Sequence, residues 1–102
     1  MVFNKLVRDK IPEIIEEHGE KVNIRILNDE EYILCLEAKL DEEVAEYHRD
    51  KNAEELADIL EVVFALAEHC GCSNEELMEI YQRKNGSRGG FRNRIFLISK
   101  EG

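Results

Sequence analysis

The sequence is poor in the residues that give small domains special means of stabilisation. Its 102 residues include no tryptophan, one proline and three cysteines, and only 7% are aromatic. An odd number of cysteines does not suit a disulfide-stapled secreted domain. A single proline, together with many Glu, Leu, Ala and Lys residues, favours helices.

Positive charge is also scarce. Lys and Arg number 14 against 23 Asp and Glu, so the formal net charge is −9. A duplex-binding module usually carries a basic face, so nucleic-acid binding is not expected. A phosphorylated small molecule remains compatible with this charge, provided that cations screen the carboxylates. By itself, the negative charge indicates no more than solubility.

Long apolar runs are absent as well. No segment approaches the length that crosses a membrane, and no secretory signal precedes the cysteines. We therefore expect reduced thiols, a cytoplasmic location and no membrane partner. Cys70-Gly-Cys72 lacks the spacing of a zinc knuckle and is typical of a helix end.

The length predicts one small domain over residues 1–102 with a modest core, which self-association would help. Hydrophobic residues make up 43% and charged residues 36%, a balance typical of a helical bundle with a polar exterior. The fold class that we expect is therefore mainly all-α.

The first predicted helix covers residues 10–18, with Asp9 as its cap, Pro12 in its first turn and Gly19 after its end. Three longer helices should follow, to about Arg49, about Cys70 and about Lys84 or beyond. Each opens with a capping-box pattern, in which Asn or Ser precedes Glu by three residues. These pairs are Asn28 and Glu31, Asn52 and Glu55, and Ser73 and Glu76.

Two short segments show strand-like patterns. Val22, Ile24 and Ile26 alternate with polar residues within 21–27, and an apolar run closes residues 92–98. These segments predict a small two-stranded β ribbon beside the helices.

Two acidic residues lie where apolar residues are expected. Residues three or four apart share a helix face. Glu43 therefore lies within the apolar stripe of the second predicted helix, and Glu55 lies within the apolar stripe of the third. The neighbours on these stripes are Leu36, Leu40 and Tyr47, and Ile59, Val62 and Leu66.

A second acid accompanies each of these residues, Glu46 beside Glu43 and Asp58 beside Glu55. A short turn around residues 50–53 makes the two helices antiparallel neighbours, so the four carboxylates should face each other. Burying several ionised carboxylates is costly, so either some are protonated or cations neutralise them. Oxygen-only ligands suit Mg²⁺ or Mn²⁺ rather than zinc.

A simpler interpretation stays open at this point. Among 23 acidic residues, pairs at helical spacing arise by chance, and Glu55 could serve only as the reciprocal partner of an N-cap. The metal hypothesis depends on the joint placement of both pairs on facing stripes.

The segments Glu43-Val-Ala-Glu46 and Glu55-Leu-Ala-Asp58 resemble the paired acidic motif of the MazG-like, all-α nucleotide pyrophosphohydrolases. The opening Asn4-Lys-Leu-Val-Arg-Asp-Lys-Ile-Pro12 resembles the short branch described as phosphoribosyl-ATP pyrophosphohydrolase-like. The closing segments do so too: Lys84-Asn85, Arg88-Gly-Gly-Phe91 and Arg94-Ile-Phe-Leu97.

The resemblance implies a four-helix bundle built with oligomer partners, as a homodimer or homotetramer. It implies Mg²⁺-dependent hydrolysis of a nucleoside triphosphate to the monophosphate and pyrophosphate, a house-cleaning reaction. It also implies that the metal ligands and catalytic residues are Glu43, Glu46, Glu55 and Asp58. Only eight residues separate Glu46 from Glu55, fewer than is usual in that family.

Basic and amide side chains near the two ends of the chain are candidates for binding the phosphates. Lys84 and Arg88 share a helix face if the last helix continues past Gly86. The full set of substrate-binding candidates is Lys5, Arg8, Lys10, Lys84, Asn85 and Arg88.

Two alternative functions stay open. One is hydrolysis of phosphoribosyl-ATP in histidine biosynthesis. The other is a non-catalytic helical module for oligomerisation or divalent-cation binding.

Overall fold

The computed structural model describes residues 1–102 as four α-helices without a β-strand. The helices are α1 (Ile11–Glu17), α2 (Asp29–Asp50), α3 (Ala53–His69) and α4 (Asn74–Arg88). The prediction of an all-α chain is confirmed. No helix combines the length and apolar character needed to span a bilayer.

The capping pairs define where the longer helices begin. The Asn28 side chain accepts the Glu31 N–H at 2.9 Å, and the Glu31 carboxylate accepts the Asn28 N–H at 3.4 Å. Ser73 and Glu76 make the same reciprocal pair at the start of α4. Each box satisfies N–H groups that the helix itself leaves without acceptors, which is why sequence spacing predicts these starts well.

Helices α2 and α3 form the α2–α3 hairpin (Asp29–His69), which holds the only buried side chains of the chain. Lys51 ends α2 in the left-handed conformation, with φ of 53°, and Asn52 immediately caps α3. This two-residue connection turns the second helix back along the first. Leu36 and Val62 form the apolar part of the buried interior.

Helix α1 begins differently from the prediction. Its N-cap is Lys10, and no side chain caps it, so the expectation that Asp9 is the cap is wrong. The Ile11 N–H instead donates to the Arg8 carbonyl at 3.0 Å, which closes the turn with backbone alone. Pro12 lies in the first turn as expected, and Gly19 follows the helix with φ of 87°.

The predicted β ribbon is absent, so this expectation is wrong. Residues 21–27 and 92–98 have no strand assignment, and no backbone hydrogen bond joins them. A two-stranded ribbon is marginal in water unless another layer covers it. Here Ile24, Ile26 and Phe96 remain exposed, so nothing supplies that layer.

The chain is extended for its size. Its radius of gyration is 18.2 Å, whereas a compact domain of this length has about 13 Å. Its accessible surface is 9476 Å², whereas a compact protein of this mass exposes about 6,000 Å². Helix α4 packs against α3 and makes no packing contact with α2. The single chain therefore leaves much apolar surface uncovered.

Candidate metal centre

The α2–α3 hairpin brings the four predicted acidic residues together. Glu43 and Glu46 lie in the last two turns of α2, and Glu55 and Asp58 lie in the first two turns of α3. One oxygen from each carboxylate lies within 4.8 Å of the others. We call this group the acidic cluster. The short connection is what places the two helix ends side by side.

Glu43 is the most unusual member of the acidic cluster. It is only 6% exposed, and it is the one buried charged residue of the chain. Its Oε1 lies 3.3 Å from the Lys39 ammonium, but its Oε2 is buried without any hydrogen-bond partner. An unpartnered buried carboxylate oxygen is costly, so this oxygen calls for a ligand or a proton.

Glu55 shows a second unsatisfied oxygen. Its backbone N–H donates to the Asn52 side chain at 3.0 Å, so Asn52 does cap α3. The Glu55 carboxylate makes no return bond, unlike that of Glu31 or Glu76, and its Oε2 is buried without a partner. Asn52 and Glu55 therefore do not form the predicted reciprocal capping box. The Glu55 side chain belongs to the acidic cluster instead.

The surroundings disfavour the ionised form of both residues. Burial raises the pKa of Glu43, and the nearby Glu46 carboxyl adds to this rise, while Lys39 partly opposes it. Burial also raises the pKa of Glu55, followed by the effects of Asp50 and Glu46. Raised pKa values of two neighbouring acids are typical of functional sites, where burial and like charges are concentrated.

The donor set fits a hard divalent cation. All four side chains offer carboxylate oxygens, and no His or Cys joins them within the acidic cluster. Mg²⁺ and Mn²⁺ prefer such ligands, whereas zinc sites usually include nitrogen or sulfur. The two unpartnered oxygens of Glu43 and Glu55 are the groups that such an ion would satisfy.

One predicted basic residue reaches the acidic cluster. Arg8, in the segment before α1, places its Nη2 2.6 Å from Asp58 Oδ1. Lys39 also reaches it, through Glu43, although it was not among the predicted site residues. Its spacing of four residues before Glu43 on one helix was the signal that could have identified it.

A cleft of about 270 Å³ opens beside the acidic cluster, between the segment before α1 and the α2–α3 hairpin. Its charged end includes Arg8, Lys39, Glu43 and Asp58. The rest is lined partly by the polar residues Asp9, Glu61, Glu68 and Asn74 and partly by apolar and aromatic side chains, among them Leu6, Val7, Tyr32, Leu36, Val62 and Phe64. The acidic cluster is therefore accessible from a partly apolar groove.

The other predicted substrate-binding residues lie elsewhere. Asn85 and Arg88 line a separate cleft of about 310 Å³ with residues 89–95, and Lys84 precedes them near the end of α4. Helix α4 does extend past Gly86, as expected, but neither Lys84 nor Arg88 makes an ion pair with a member of the acidic cluster. None of Lys84, Asn85 and Arg88 lines the cleft beside the acidic cluster. The single chain does not bring this group to the carboxylates.

Lys5 and Lys10 also make no ion pair with the acidic cluster. Both are exposed, and the Lys5 ammonium lies over the Phe3 ring at 5.9 Å from its centre. Of the six predicted substrate-binding residues, Arg8 is the one that the fold places against a predicted ligand.

Comparison with known proteins adds one partial match. A protein of Mycolicibacterium smegmatis, described as an uncharacterized protein, is 60% identical over 42 residues, which cover 41% of this chain and 43% of that protein. This chain therefore spans less than half the length of that relative. The models of known protein families give no match, and no solved structure matches.

Proposed function

We propose that this protein is a Mg²⁺-dependent nucleoside triphosphate pyrophosphohydrolase. Its reaction would cleave the bond between the α- and β-phosphates, giving a nucleoside monophosphate and pyrophosphate. The observation that carries the proposal is the buried Glu43 carboxylate, whose unpartnered oxygen lies in a group of four acids on two antiparallel helices. Residues placed at such a cost to stability point to a function rather than to the fold.

The division of labour among the side chains follows from their positions. Glu43 and Glu55, which have the unpartnered oxygens, would hold the cation, together with Glu46 and Asp58. When bound, Mg²⁺ supplies charge neutralisation for the phosphates and makes water a better nucleophile. Arg8 and Lys39 add positive charge at the charged end of the cleft, where a departing pyrophosphate needs it.

We also propose that the protein works as a homo-oligomer, a homodimer or homotetramer, in which partners complete a four-helix bundle. The surface exceeds that of a compact protein by thousands of square ångströms, which is on the scale of obligate interfaces. Leu56 and Leu60, each 49% exposed, lie one turn apart on α3. They form an apolar stripe that the α2–α3 hairpin leaves half uncovered.

The direct test is a pyrophosphate-release screen over nucleoside triphosphates, with and without Mg²⁺. We expect release that depends on Mg²⁺ or Mn²⁺ and that falls at least about a hundredfold in Glu43→Gln and Glu55→Gln, because each change removes a ligand charge. Glu54→Gln is the matched control, since Glu54 is an exposed neighbour of Glu55 on the same helix. It should retain nearly full activity.

Two results would overturn this proposal. Activity confined to phosphoribosyl-ATP would replace the general nucleotide substrate by that one. Divalent-cation binding without pyrophosphate release from any nucleotide would favour the non-catalytic module.

A further inference from the structure

Two basic side chains of this chain, Lys39 and Arg8, make ion pairs with members of the acidic cluster, and they are held in different ways. Lys39 belongs to α2, one turn before Glu43, and its side chain is 18% exposed. Arg8 belongs to the segment before α1, and its side chain is 54% exposed. Lys39 is therefore held by the helix, whereas Arg8 is held at the acidic cluster by a solvent-accessible contact.

The Arg8 contact uses a predicted metal ligand. Its Nη2 donates to Asp58 Oδ1 at 2.6 Å, across 50 positions of sequence. Neither side chain is buried, and exposed ion pairs of this kind contribute little stability. A divalent cation with four carboxylate ligands can therefore break this contact at small cost.

We propose that Arg8 is a displaceable counter-cation of the acidic cluster. In the metal-free protein it neutralises Asp58, and a divalent cation displaces it. The released guanidinium then binds a phosphate group of the substrate. This inference rests on the proposed function, and it adds an order of binding in which metal precedes nucleotide.

The chemistry of the cleft supports both halves of this exchange. A guanidinium and a divalent cation repel each other, so both cannot be held at full strength by one carboxylate. Arg8 also lines the cleft beside the acidic cluster, so a small rotation of its exposed side chain keeps it within the groove. There its planar fork of donors matches phosphate oxygens in two-point contacts.

The chain offers a closely matched control for Arg8. Arg25 donates to Glu31 at 2.7 Å, its side chain is 67% exposed, and Glu31 lies outside the acidic cluster. Arg8→Gln and Arg25→Gln each remove one positive charge and one exposed ion pair. A difference between the two variants therefore reports on the acidic cluster rather than on net charge.

The first measurement is Mn²⁺ binding to the full chain without nucleotide, by isothermal titration calorimetry. We expect Arg8→Gln to bind Mn²⁺ about three- to tenfold more tightly than the wild type, because the competing cation is gone. Arg25→Gln should match the wild type. Unchanged or weaker binding in Arg8→Gln would overturn the exchange while leaving the proposed function in place.

The second measurement is binding of inorganic pyrophosphate to the protein saturated with Mg²⁺. Here we expect Arg8→Gln to bind about tenfold more weakly, since a charge-assisted contact is lost. The two ligands thus respond in opposite directions. A merely structural role for Arg8 would weaken both, and that result would overturn the inference. Absence of Mn²⁺ binding by the wild type would overturn the proposed function as well.

Discussion

The α2–α3 hairpin and the C-terminal part of the chain, which is α4 with residues 89–102, differ in how their side chains are buried. The hairpin buries Leu36, Val62 and Glu43, while α4 and the tail bury nothing. Both regions contain well-capped helices and apolar residues. The comparison shows that capping and composition are enough to form a helix. A helix buries its apolar face, however, only where a second helix packs closely against it.

The same comparison separates the two groups of predicted site residues. The acids lie on helices joined by two residues, and they converge. The basic group at the end of α4 lies on a helix that contacts α3 alone, and it does not reach them. Experiments should therefore first test whether the α2–α3 hairpin and the C-terminal part of the chain differ in solution as they do in the structure.

The largest effect is expected from truncating the hairpin interior. Leu36→Ala should lower the free energy of unfolding by about 2–5 kcal/mol, because it opens a cavity at the most deeply buried apolar residue of the hairpin. Leu97→Ala, in the exposed tail, should change it by less than about 0.5 kcal/mol. Urea unfolding followed by circular dichroism measures both. Equal losses would show that the tail is covered in solution.

The next effect concerns the half-covered stripe of α3. Replacing Leu56 and Leu60 together by Glu should reduce the oligomer to monomers, because four charges would face each other across a dimer interface. Leu34→Glu, at an exposed leucine of α2, is the control and should leave the mass unchanged. Sedimentation velocity measures the mass. Persistence of the oligomer in the double variant would place the interface on another surface.

A smaller, pH-dependent effect should mark the acidic cluster. The folded-state pKa of Glu43 is raised, so the folded chain binds a proton more tightly than the unfolded chain does. Its contribution favours folding at acidic pH and is lost as pH rises past the raised pKa. Without Mg²⁺, Glu43→Gln should therefore melt above the wild type at pH 8, and the gap should shrink towards pH 5.

Glu31 provides the opposite case for that measurement. Its hydrogen bond with Arg25 lowers its pKa, so its contribution is present at neutral pH and is lost on acidification. Glu31→Gln should lower the melting temperature at pH 7 and have less effect at low pH. A pH-independent gap for Glu43→Gln would contradict the pKa assignment of Glu43.

The smallest effect compares two helix caps. Asn28→Ala and Ser73→Ala each remove a side-chain acceptor from a complete capping box and should each cost about 1 kcal/mol locally. Because α2 carries the hairpin interior, the first change should lower protection from hydrogen exchange across both hairpin helices. The second should increase exchange only within α4. Spread of the second effect into α2 would show that α4 folds as one unit with the hairpin.

Much of the helical framework could be predicted because it depends on local interactions. Asn28 with Glu31, and Ser73 with Glu76, need only a spacing of three residues to satisfy free N–H groups. The convergence of the acids needed one further step, the short turn after Asp50. Glu55 shows where spacing alone fails to predict the structure. Its N–H donates to Asn52 as in a capping box, but its carboxylate joins the acidic cluster and makes no return bond to Asn52.

The errors concern interactions between distant parts of the chain. Alternation at residues 21–27 predicted a strand, but alternation cannot supply the partner strand that the ribbon needed. The pairing of Arg8 with Asp58 joins residues 50 positions apart, and no local rule predicts such a contact. Asp9 had the chemistry of a cap, yet the backbone of Arg8 closed that turn instead.

The connection of Lys51 and Asn52 has a consequence for how this sequence can diverge. One residue inserted within α2 between Glu46 and Lys51 would turn Glu43 and Glu46 by about 100° relative to the connection and would carry them away from Glu55 and Asp58. Substitutions within the turn, such as Lys51→Gly at its left-handed position, should be tolerated by contrast. Position 51 can therefore vary, whereas Asn52 is held by its role as the cap of α3 and the acids are held by their spacing along the two helices.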